Sequence, residues 1–96
     1  MGLFGSRNEP TRAETRDWQD AMTSYRERTL SLAELLDGDG ERPIDKDVIA
    51  EWERLHDRIL AYCNKYMHVG NHEATTHLTE VRNAVEATHK RISGHL

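Results

Sequence analysis

Residues 68–77 read HVGNHEATTH, with three histidines and one glutamate in ten positions. Imidazole and carboxylate are ligands for zinc and related divalent ions. Imidazole also titrates near neutral pH. A zinc-protease helix needs two histidines four residues apart, so that both point the same way. Here His72 and His77 are five apart, and the helical rotation turns them roughly 140° from one another. The protease reading fails on that geometry. A different row shares a face: Glu73, His77 and Glu80, at spacings i, i+4 and i+7. Joined by His68 or His72, it is the candidate ligand set for one divalent transition metal such as zinc. The plainer reading is a surface histidine between two carboxylates, which is weakly favourable on its own. The expectation is therefore no cofactor, with the metal as the alternative.

Other residues invite chemistry and then lose it on spacing. His56 and Cys63 lie seven apart on one helix face. That is about 10.5 Å along the axis, too far for a nucleophile pair. DGDGERPID at 37–45 places Asp37, Asp39 and Glu41 like the first ligands of a calcium loop. Such a loop needs glycine at its sixth position and glutamate at its twelfth. These positions hold Arg42 and Val48, which points to an acidic turn. Trp18, Tyr25, Trp52, Tyr62 and Tyr66 recur at helical spacing and read as core rather than as a ligand box. The start MGLFGS fits the short form M-G-x-x-x-S, but the first ten residues read as a flexible tail. No triad, carboxylate pair or phosphate loop appears, so the chain is not expected to be an enzyme.

Bulk properties narrow the class. The chain has 96 residues, 36% hydrophobic and 31% charged, with a net charge of −4. This suits one small soluble domain over residues 11–96 after a tail at 1–10. A basic row of Arg54, Arg58 and Lys65, with Arg82, Lys90 and Arg91 beyond it, is interleaved with Glu51, Glu53, Asp57 and Glu86. Ordinary surface pairing explains it better than a phosphate-binding face. A nucleic-acid accessory role is thus the weakest alternative. The single cysteine allows no internal disulfide and fits a reducing, cytoplasmic setting. No apolar run approaches the roughly 20 residues of a membrane span, and no secretory leader is legible.

Three amphipathic segments must position whatever the chain uses. Thr11 and Glu14 have the spacing of a capping box. After them Trp18, Met22, Tyr25, Thr29, Leu32 and Leu36 step by 4, 3, 4, 3, 4 along one helical face. The second row is Val48, Trp52, Leu55, Ile59, Tyr62 and Tyr66, opened by Asp45 as cap. The third is Ala74, Leu78, Val81, Val85, Thr88 and Ile92, closed by Gly94. The expected fold is all-α, an antiparallel three-helix bundle. Gly70 and Asn71 favour a sharp turn between the second and third helices. The alternative is a dimeric helical hairpin in which those two helices are continuous, because positions 66, 70, 74 and 78 also step by four.

The expected function is a non-enzymatic protein–protein interaction module, docking an apolar helix face on a partner or on itself as a homodimer. Leu30, Leu35 and Met67 lie off the main apolar rows and are the candidate interface residues. A histidine-dependent metal or pH sensor is the second reading, made available by six histidines.

Overall fold

The computed structural model describes residues 9–37 and 44–96. Three helices fill them: α1 at Arg12–Asp37, α2 at Lys46–Tyr66 and α3 at His72–Ser93. The apparent calcium-like loop and the MGLFGS start fall largely outside the described residues.

Each helix begins where its side chains can satisfy free backbone donors. The Thr11 N–H donates to Glu14 Oε1 at 3.2 Å, and the Glu14 N–H returns to Thr11 Oγ1 at 3.0 Å. That reciprocal pair is a capping box. Asp45 Oδ1 accepts from the Asp47 N–H at 2.9 Å. Asn71 Oδ1 accepts from the Ala74 N–H at 2.9 Å. Just before it, Gly70 takes φ +90°, a left-handed conformation that breaks α2 from α3. The continuous-helix hairpin is therefore overturned, because glycine plus an Asn cap make the turn locally cheap. Gly94 ends α3 by a different route. It stays right-handed at φ −63° and donates to the Lys90 carbonyl at 3.1 Å.

The contacts fix an antiparallel arrangement. From one end of α1 to the other, Glu14 meets Tyr66, Trp18 meets Tyr62 and Thr29 meets Trp52. Numbers rise on α1 as they fall on α2. Between α2 and α3, Met67 meets Arg82 while Trp52 meets His89, again in opposite directions. The bundle is the all-α, antiparallel three-helix fold that the hydrophobic rows predict.

Its core is formed by Trp18, Ala21, Tyr25 and Leu32 from α1, by Trp52, Leu55, Ile59, Cys63 and Tyr66 from α2, and by Leu78, Val85 and Ile92 from α3. Thr29 sits in an apolar row for a polar reason: its Oγ1 accepts the Trp52 indole N–H at 2.9 Å. A buried indole N–H usually finds such a partner, although that of Trp18 has none among the described residues. Ala74 departs from expectation. It is exposed, and the buried row of α3 starts one turn later at Leu78.

α2 is the central helix. α1 and α3 both pack along it and meet each other much less. Where they meet, the Tyr25 hydroxyl reaches the Val85 carbonyl at 3.5 Å, and Trp18 stands edge-on to His77 with ring centroids 6.3 Å apart. The result is an open V in cross-section rather than a closed triangle.

Candidate functional site

The open side of that V is a cleft of about 400 Å³ between α1 and α3. Its walls and floor include Met22, Leu30, Ile59, Val81, Ala84 and Val85. The α3 wall is made of short side chains, so the helix presents a shallow apolar trough. α1 supplies the opposite wall and its rim. On that rim Leu30 is 59% exposed, an apolar side chain facing water beside an apolar hollow. Arg26 borders the same cleft one turn earlier.

The three candidate interface residues are split by the structure. Leu30 lines the cleft. Leu35 is also exposed, but five residues of helical rotation turn it roughly 140° from Leu30, and it does not line the cleft. Met67 is a correction: it is only 7% exposed and belongs to the core. It caps α2, where the turn folds it under α3, and its Sδ lies 3.7 Å from an Arg82 guanidinium nitrogen. A residue off the main row at a helix end is covered by the reversal of the chain rather than left to solvent.

The metal set does not assemble. His68, His72, Glu73, His77 and Glu80 are all exposed. Among the described residues, no three histidine, cysteine, aspartate or glutamate side chains converge closely enough to hold a metal ion. The Glu73, His77, Glu80 row shares a helix face as its spacing requires, but His77 leans on the Trp18 ring instead. Cys63 is fully buried, and burial raises its thiol pKa, offset in part by the Trp18 indole and the Arg82 charge. Such a thiol is a poor nucleophile.

A second feature was hidden in the sequence. His56 on α2 and His89 on α3 stack with ring centroids 3.9 Å apart and planes 25° apart. His89 also lies flat on Trp52 at 4.7 Å. Burial is the main influence lowering the His89 pKa from 6.5, with the neighbouring His56 charge acting the same way. The only sequence signal was that His56 flanks the apolar row of α2 at heptad spacing from Ile49 and Cys63. His89, next to Thr88 in the α3 row, gave its half of the clue. Nothing in one chain segment announces that the two meet.

At the other end of α1, a smaller hollow of about 290 Å³ lies against α2. There the Tyr66 hydroxyl donates to Glu14 Oε2, and Lys65 Nζ stands 3.5 Å from the same oxygen. The Tyr66 hydrogen bond is the largest influence on Glu14, whose pKa falls to about 2. Glu14 thus serves the helix cap and the α1–α2 seam together. Trp18 stacks on Tyr62 at 4.5 Å beside it.

Set against protein-family models, curated proteins and solved structures, the chain matches none. Among the described residues, no helix is long and apolar enough to cross a membrane. The site geometry therefore carries the functional reading by itself.

Proposed function

We propose that this chain is a protein–protein interaction module whose partner is a second copy of itself, docked through the α1–α3 cleft. The observation that carries the reading is a knob beside a hole. Exposed Leu30 stands on the rim of an apolar cleft of about 400 Å³. In a two-fold contact the same patch is used on both subunits. The two Leu30 side chains then pack together at the axis, over the rims of the two clefts, and leave water.

Charge supports the same arrangement. Antiparallel pairing of α1 with its copy, centred on Leu30, sets Arg26 of each chain opposite Glu34 of the other, four residues either side of the axis. Both side chains are exposed, and among the described residues neither has an ion-pair partner within the chain. Rim pairs of this kind set register and orientation more than affinity. The function is one of assembly: an apolar helix face finds its match, and no bond is made or broken.

The test compares oligomer masses by light scattering after size exclusion. The wild type is expected to run as a dimer at tens of micromolar. Leu30→Ser shifts it to monomer with helicity intact, whereas Leu35→Ser leaves the dimer in place. A wild type that stays monomeric at millimolar concentration would refute self-docking. Equal effects of the two serine variants would remove the cleft from the interface.

A further inference from the structure

Rings from all three helices meet in one aromatic stack. Trp52 and His56 lie one turn apart on α2, and His89 reaches from α3 to lie flat against both, at 4.7 and 3.9 Å. Tyr25 of α1 stacks on the Trp52 ring at 5.7 Å and tilts toward His56 at 6.2 Å. The side chains of His56 and His89 are 12% and 25% exposed, so most of each ring is out of water. They join the middle of α2 to the last turns of α3, away from the Gly70 turn.

Stacked neutral imidazoles are compatible with this packing. Two imidazolium cations 3.9 Å apart are not, since like charges close together and partly desolvated repel strongly. The groups around the pair decide how far this matters. From α2, Asp57 Oδ1 lies 3.2 Å from His56 Nδ1, and Glu53 Oε1 lies 3.9 Å from His89 Nε2. Both carboxylates are exposed, and water screens them. From α3, the Ser93 hydroxyl approaches His89 Nδ1 at 3.5 Å, and exposed Lys90 follows in the chain. From α1 comes Tyr25, whose burial pushes its pKa up to about 12, so that it carries no charge here. Each histidine has one carboxylate beside it, but both are exposed and offset only part of the repulsion between two charges on the stack.

The geometry points to the His56–His89 stack as a proton-operated clasp on the α2–α3 seam, closed at neutral pH and released as the pair becomes doubly charged. It does not depend on what occupies the α1–α3 cleft. The sign follows from His89. Its folded-state pKa is below the 6.5 of a free histidine. A folded state that resists protonation is stabilised above about pH 6.5 and loses that contribution as pH falls through the lowered value. Interacting sites of this kind titrate in two steps that belong to the pair.

The experiment is a proton NMR titration of the histidine ring resonances from pH 8 to 5, with urea midpoints at pH 7.5 and 5.5. It uses the wild type, His89→Phe and His56→Phe. Phenylalanine keeps a flat ring in the stack and removes the proton site. In the wild type, His89 is expected to take its proton below the ordinary histidine value of 6.5. In His56→Phe, the His89 resonance moves back up. The wild-type urea midpoint drops more between pH 7.5 and 5.5 than that of His89→Phe. A His89 that takes its proton at or above 6.5, or an equal midpoint drop in both proteins, would overturn the clasp.

Discussion

Replacing Gly70 with alanine isolates one backbone angle. Gly70 holds φ +90° between α2 and the Asn71 cap of α3. A Cβ added there would lie 3.6 Å from the Ala74 Cβ, an ordinary contact, so crowding contributes nothing. The whole cost is left-handed strain in an L-residue, about 1–2 kcal/mol. For a domain of this size that lowers the melting temperature by roughly 4–8 °C per kcal/mol. Gly70→Asn should lose less, because asparagine tolerates the left-handed region. Urea and thermal unfolding followed by circular dichroism at 222 nm would measure both variants. The refuting result is specific. If Gly70→Ala is as stable as the wild type or more so, the turn is not held by glycine, and a continuous α2–α3 helix regains its claim.

Other outcomes follow from the same contacts. Leu32 is fully buried while Leu30, two residues away, is exposed. Leu32→Ala should cost about 2–5 kcal/mol in urea unfolding, whereas Leu30→Ala, measured at concentrations where the chain is monomeric, should stay within about 0.5 kcal/mol. Thr11→Ala removes one half of the capping box and should destabilise by about 0.5–2 kcal/mol. Tyr66→Phe removes the hydroxyl that holds the Glu14 pKa near 2 rather than its ordinary 4.5. A lowered carboxyl pKa adds stability above about pH 4.5 and gives it up as pH falls toward 2. The variant should therefore be less stable than the wild type at pH 7, with the gap closing across that acid range in urea titrations.

The helices were legible because their information is local. Thr11 with Glu14, Asp45, and Gly70 with Asn71 each announce a boundary within four residues, and the capping contacts realise them. The buried rows of α1 and α2 were legible for the same reason, since a 3–4 spacing marks a face without reference to any partner. What the spacing lacks is the depth of that face. Met67 reads as an outlier by row and is buried by the turn, while Ala74 reads as a row member and is exposed. Both errors sit where the chain reverses, and coverage there depends on the path of the next helix. The site shows the same division. Leu30 and Leu35 look alike as exposed leucines, and only the direction of α3 selects Leu30 for the cleft. The histidine cluster drew attention to residues 68–77 because they are close in sequence. The pair that meets, His56 and His89, is 33 positions apart and comes together through bundle register.

Self-docking through the α1–α3 cleft is tested most directly by exchanging its two rim charges. Arg26→Glu, Glu34→Arg and the double variant would be compared with the wild type by sedimentation equilibrium. The antiparallel pairing of α1 predicts a weaker dimer for each single variant, where like charges face one another, and recovery in the double variant, where the pair is restored in reverse. Single variants that dimerise like the wild type, or a double variant weaker than both, would contradict it.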